Sequence, residues 1–218
     1  MMESTNGGAM AGTGEMGMNR RRRPRGLPIR VALPGVFLLV LGLGCKGNGN
    51  NNDGNSVIPC TSISFAGAIG SPANGDVYLL ASNSSCDTVD INVWVKDLSG
   101  IFTVGFELNY PSSIIEYQSF SPGPLLYRGS PPIAPQFFVT NSSPGEIVVS
   151  GTLFRPDPSV SAVGNATFMT LHFVKVASGS GAVDFNTSGA INNQIIDENG
   201  NVVAASFGPG HGGTVLVP

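Results

Sequence analysis

Val89-Asp-Ile-Asn-Val-Trp-Val-Lys96 and, after a short break, Ile101-Phe-Thr-Val-Gly-Phe-Glu-Leu-Asn-Tyr110 decide the fold class. In the first stretch Ile91, Val93 and Val95 alternate with Asp90, Asn92, Trp94 and Lys96. In the second, Phe102, Val104, Phe106, Leu108 and Tyr110 alternate with Thr103, Gly105, Glu107 and Asn109. A period of two residues puts one set on a core face and the other toward solvent, the signature of a half-buried β-strand. Working outward, short apolar segments recur at Val77–Ala81, Ile114–Phe120, Gln136–Thr140, Glu146–Phe154, Thr167–Val176, Ala182–Asn186 and Gly213–Val217. Gly, Pro, Asn and Ser clusters separate them, and no helical period competes. Near the C-terminus, Ile195-Ile196 and Val202-Val203 flank Asp197-Glu-Asn-Gly-Asn201, where Asn199-Gly200 signals a hairpin turn. The Pro-dense stretch Ser121–Pro135 is expected to be an exposed crossing loop. The prediction is an all-β chain: a single β-sandwich of jelly-roll topology with about nine strands, spanning residues 60–218.

Composition agrees. Hydrophobic residues make up 41% of the 218 and charged ones 11%, enough apolar material for one core and too little charge for a disordered chain. The net charge of −3 hides an asymmetry. Residues 1–44 carry six arginines against Glu3 and Glu15, for +4, whereas residues 45–218 carry five basic groups against twelve acids, for −7. An acidic domain so poor in Lys and Arg is not built for nucleic acid.

The basic part precedes an apolar run, Val31–Gly44, too short to span a bilayer and suited to a signal-peptide core. Met16 and Met18 are alternative starts that give a leader of more usual length. Leu41-Gly-Leu-Gly44-Cys45 resembles a bacterial lipoprotein lipobox, with the small Gly44 before the cysteine. That resemblance implies export, lipidation of Cys45 and anchoring to a membrane through lipid alone, facing periplasm or cell surface. An ordinary secretory signal, with a secreted product, is the other reading. Residues 1–44 are then the signal peptide and residues 45–59, which begin Lys46-Gly-Asn-Gly-Asn, a flexible tether. Cys60 and Cys86 are left over, and an oxidising compartment favours one disulfide between them over two free thiols.

The order of segments resembles the bacterial cohesin domain, the module of cellulosome scaffoldins. Val89–Gly100 matches its second strand and turn, and Gly105-Phe-Glu-Leu-Asn-Tyr110-Pro-Ser-Ser-Ile-Ile-Glu116 its next strand with the Tyr-Pro and hydrophobic pair. Ile147-Val-Val-Ser-Gly-Thr152, Gly164–Val174 and Ile196-Asp-Glu-Asn-Gly-Asn201 follow in the family's sequence. The resemblance covers roughly residues 75–217 and implies binding rather than catalysis. The implied partner is a dockerin, the small calcium-loaded domain of secreted enzymes, or another extracellular protein. The implied contact face carries Thr103, Gly105, Glu107 and Asn109 beside Glu146, Val148, Ser150 and Thr152. Thr103 and Gly105 stand where type I cohesins place an Asn and an Asp.

His172 and His211 are the only histidines, no G-x-S-x-G elbow is present, and the acids are scattered, so no catalytic constellation is expected. Neither Cys60 nor Cys86 belongs to a metal-binding pair, and no metal or cofactor is expected. The alternative to a protein partner is polysaccharide, bound on an aromatic platform of Trp94 with Phe168, Thr170 and His172, all expected to face outward.

Overall fold

A computed structural model describes residues 60–129, 132–189 and 191–218. Cys45 and the segments assigned to the leader and tether lie outside the described residues. The strands are β1 (Ser64–Gly67), β2 (Val77–Ser84), β3 (Thr88–Ile101), β4 (Thr103–Asn109), β5 (Ile115–Pro122) and β6 (Gln136–Ser143). They continue as β7 (Glu146–Thr152), β8 (Val160–Lys175), β9 (Gly179–Phe185), β10 (Gln194–Ile196), β11 (Val202–Val203) and β12 (Gly213–Val217). Two antiparallel sheets face each other as a sandwich. The first has 8 strands: β1, β12 and β9 lead to β4, which pairs with β7 and through it β6, while the β10–β11 hairpin takes the rest of the opposite edge of β4. The second has 4, in the order β2-β3-β8-β5.

The alternation seen in sequence builds the core. Ile91, Val93 and Val95 of β3 meet Val104, Phe106 and Leu108 of β4 between the sheets, all fully buried. Phe106 is the hub of an aromatic cluster, with ring centroids 6.0 Å from Phe168, 5.5 Å from Phe185 and 6.2 Å from Phe207. Such edge-to-face and tilted pairs add directional attraction to the area they bury. Cys60 and Cys86 form a disulfide with Cα atoms 5.7 Å apart, inside the range a disulfide requires. Closing that loop contributes about 3 kcal/mol on the chain-entropy account.

The structure corrects the sequence expectations in places. β1 was not anticipated, although Ile63 and Phe65 alternate there and both are buried. Nor is Ser121–Pro135 simply an exposed loop. Ser121 and Pro122 finish β5, the Gly123 N–H donates to Phe168 O at 2.8 Å, and Pro124–Leu126 form one 3-10 turn. Leu125 and Leu126 are buried there, so the turn plugs the core where an exposed crossing is expected.

Phe168 is the third correction. It does not face outward beside Trp94 but is fully buried. Along β3–β8, Val93 pairs with Met169 while the next residue, Trp94, pairs with Thr167. Phe168 is the extra residue of a β-bulge, and the bulge sends Phe168 and Met169 both inward.

Candidate functional site

The register of β4 on β7 sets four opposed pairs on the outer surface of the first sheet: Thr103 with Thr152, Gly105 with Ser150, Glu107 with Val148, and Asn109 with Glu146. These eight are the residues named for the partner face. The buried residues between them, Val104, Phe106, Leu108, Ile147, Val149 and Gly151, point into the core and fix which set faces out. Thr103 and Thr152 share a hydroxyl hydrogen bond of 2.7 Å, and the Ser142 hydroxyl donates to Glu146 Oε1 at 2.5 Å.

Glu107 departs from its expected exposure. Only 1% of it is accessible, because Asn186, Gly189 and Asn193, which follow β9, lie against it. Asn186 N–H donates to Glu107 O at 2.8 Å, and its side-chain amide donates to Glu107 Oε1. The Glu107 N–H donates to Asn193 Oδ1 at 2.9 Å. A Cβ on Gly189 would run into the Glu107 carboxylate, so this close cover requires glycine there. A carboxyl group this deep needs hydrogen-bond partners to offset its lost hydration, and Asn186 is one of them. Glu107 is therefore a buried contact of that loop, not part of the exposed surface.

The face is also wider than the eight residues. Gln194 of β10 stands opposite Gly105 and Ile196 opposite Thr103, and Val202 of β11 extends that row. On the other side Phe138 of β6 stands opposite Ser150 and is 60% exposed. Phe138 was legible, since it shares its strand face with the polar Gln136 and Thr140. The place of β10 beside β4 was not, because sheet order is set by contacts distant in sequence. Around Gly105 the surface sinks into a hollow of about 270 Å³ whose lining includes Val148, Ser150, Ile191 and Gln194.

The outer surface of the second sheet holds what remains of the alternative platform. Trp94 is half-buried, stands opposite Tyr78, and has its Nε1 withdrawn from solvent. Tyr78 is itself buried, and that burial raises its phenol pKa, with the nearby Asp76 charge adding to the rise. Thr170 donates to Asn92 Oδ1 at 2.6 Å. His172 Nδ1 donates to Asp90 Oδ1 at 2.7 Å, and its Nε2 lies 2.9 Å from Ser121 Oγ. That order of groups is the order of a hydrolase triad. Ser121 nevertheless lies in a strand rather than a strand-to-helix elbow, and the next residue is Pro122. Proline has no N–H, so the usual oxyanion donor after the nucleophile is missing. The relay cross-links three strands at the surface.

Among the described residues no group of three or more His, Cys, Asp or Glu side chains is placed to hold a metal ion. Among them, too, no helix is long and apolar enough to cross a membrane. Asp197-Glu-Asn-Gly-Asn201 closes the β10–β11 hairpin, with Asp197 N–H donating to Asn201 O at 2.9 Å and Gly200 at φ 88°. The Asp197 carboxylate accepts from the Asn201 side-chain amide and from the Asn201 and Asn199 N–H groups, which together hold its pKa below the ordinary value.

No family model matches the sequence, and no curated protein matches it. Solved structures do. The chain is similar to a non-cellulosomal cohesin from the archaeon Archaeoglobus fulgidus, with 16% identity, 60% of this chain and 85% of that one covered, and a TM-score of 0.45. It is similar to the sixth cohesin of scaffoldin B from Acetivibrio cellulolyticus, solved in complex with the Cel5 dockerin, at 19% identity, 61% and 92% coverage, and a TM-score of 0.48. It is similar also to the cohesin CaCohA2 from Clostridium acetobutylicum, at 21% identity, 65% and 90% coverage, and a TM-score of 0.46.

Proposed function

We propose that residues 60–218 are a non-catalytic binding module that offers the outer surface of the first sheet to an extracellular protein of the dockerin type. The observation that carries this reading is the unbroken β4–β7 register. In it, residues implied independently by the order of sequence motifs stand opposite one another on one surface, with apolar and amide neighbours from β6 and β10. The surface mixes apolar and hydrogen-bonding groups around an uncharged centre and keeps charge to its margin, as interaction patches do. The Arg-rich leader and Gly44-Cys45 support export with a lipid on Cys45, the stretch 45–59 serving as tether. Labelling with a fatty-acid analogue should mark the wild-type chain and not Cys45→Ser; label on both, or on neither, refutes the anchor.

The partner is tested by titrating the immobilised full chain with calcium-loaded dockerin modules from secreted proteins of the same organism. Saturable binding is expected, lost on calcium chelation and weakened more than about tenfold by Ser150→Arg at the centre of the patch. No binding, or binding indifferent to Ser150→Arg, rejects the reading.

A further inference from the structure

Gly105 is a glycine that nothing within the described fold demands. Glycine inside a strand weakens it, so one that persists there usually marks a bulge, a sharp bend or a close approach by another group. The β4–β7 register runs without a shift from Thr103 to Asn109, which removes the bulge. Gly105 is not among the glycines with positive φ, which removes the backbone reason. A Cβ built on it would meet nothing nearer than Val149 O at 3.9 Å, which removes an internal neighbour. Gly151 on the paired strand is the opposite case: its Cβ would lie 2.7 Å from Phe168 Cζ and 2.8 Å from Phe137 Cε1. The core requires Gly151, whereas Gly105 holds open a hollow on the surface.

That hollow is lined by Thr103, Val148, Ser150, Ile191, Gln194 and Ile196 among others, and none of its lining residues is charged. Exposed apolar side chains flank it, Phe138 beyond Ser150 and Val202 beyond Ile196, at 60% and 67% exposure. The nearest carboxylate along β4, Glu107, is buried. In a region carrying −7 over residues 45–218, this is a neutral opening with apolar walls and amide and hydroxyl rims.

We infer that the hollow over Gly105 is the specificity pocket of the partner face, receiving one uncharged aliphatic side chain from a partner segment whose main chain passes close over β4. This rests on the proposal that the first sheet's outer surface is the partner side. The match is of neutral with neutral: a charged knob would lose its hydration against Val148 and Ile196 with no countercharge to meet it. Binding through it should depend little on salt, because no charged pair is formed.

The test uses a phage-displayed random peptide library, selected on the immobilised full chain and counter-selected on Gly105→Trp. Enriched peptides should share an uncharged aliphatic residue, bind Gly105→Val at least about tenfold more weakly than wild type, and lose less than about twofold between low and moderate salt. Gly105→Val should itself melt a few degrees higher than wild type, because valine suits a strand and meets no clash. A lower melting temperature for Gly105→Val, no enriched sequence, or enriched peptides with an obligatory charge would each overturn the inference. So would a wild-type dimer in light scattering that Gly105→Trp dissociates, since the occupant would then be a second copy of this chain. The two proposals fail separately. Dockerin binding that survives Gly105→Trp rejects the hollow and keeps the dockerin, while peptide capture without dockerin binding does the reverse.

Discussion

The two outer surfaces of the sandwich are built from the same kind of alternating strand and end in opposite conditions. On the second sheet several outward polar groups are spent on each other: Asp90 on His172, His172 on Ser121, Thr170 on Asn92. Trp94, the large aromatic of the expected platform that does face outward, is half-buried beside Tyr78. On the first sheet, by contrast, a glycine opens a hollow, and Phe138 and Val202 project from its flanks. Where donors and acceptors are already paired, a ligand gains little, since each new hydrogen bond must replace an existing one. An apolar surface with a vacant centre gains by being covered. The contrast argues for one binding side and one closed side.

The sharpest way to break that contrast is Phe168→Ala. If Phe168 belongs to the core cluster with Phe106 and Phe137, truncation removes a fully buried ring and leaves a cavity, at a cost of about 3–5 kcal/mol. Urea denaturation at constant m-value measures it. A loss below about 1 kcal/mol, the cost of a surface substitution, would return the ring to the second sheet's exterior and reopen an aromatic platform with Trp94.

Phe168 also shows where sequence reasoning stops. Strict alternation assigned Trp94, Phe168, Thr170 and His172 to one side, and for Trp94, Thr170 and His172 that side is right. A bulge adds one residue without any local signal in Ala166-Thr-Phe-Met-Thr170, and past it the parity changes. Glu107 failed for a different reason. Its strand parity was correct, but it is buried by Asn186, Gly189 and Asn193, distant in sequence, and such burial is invisible to a two-residue period. The outward placement of Thr103, Gly105, Asn109, Glu146, Val148, Ser150 and Thr152, by comparison, follows from parity within β4 and β7, which no bulge interrupts. What was legible is what local periodicity controls.

A smaller effect tests the closed side. Asp90→Asn removes the carboxylate that orients His172, yet both side chains are partly solvated, at 25% and 30% exposure. A surface pair of this kind is worth less than about 1 kcal/mol, and the variant should melt within a few degrees of wild type. Peptide or dockerin binding on the opposite sheet should not change. A loss of binding in Asp90→Asn would mean that the second sheet touches the partner, and the assignment of one closed side would fail.

The smallest effect concerns the hairpin that carries the rim of the hollow. Gln194 and Ile196 sit on β10, a strand of three residues whose turn is organised by Asp197. The Asn201 side-chain amide, with main-chain N–H groups of Asn201 and Asn199, favours the ionised carboxylate and lowers its pKa in the folded chain. A group lowered on folding stabilises the fold above its unfolded value, about 3.9, and that contribution is lost as pH falls through the folded one. Glu198, lowered by its hydrogen bond from Ser159, acts in the same direction. Asp197→Ala should therefore melt slightly below wild type near neutral pH, and the gap should close under acid. Because Asp197 is open to solvent, the gap is small. Differential scanning calorimetry at both pH values reads it, and a gap that persists unchanged in acid would show that the turn is held by its backbone alone. In that case the carboxylate is dispensable to the hairpin, and the rim of the hollow owes its place to the pairing of β10 with β4.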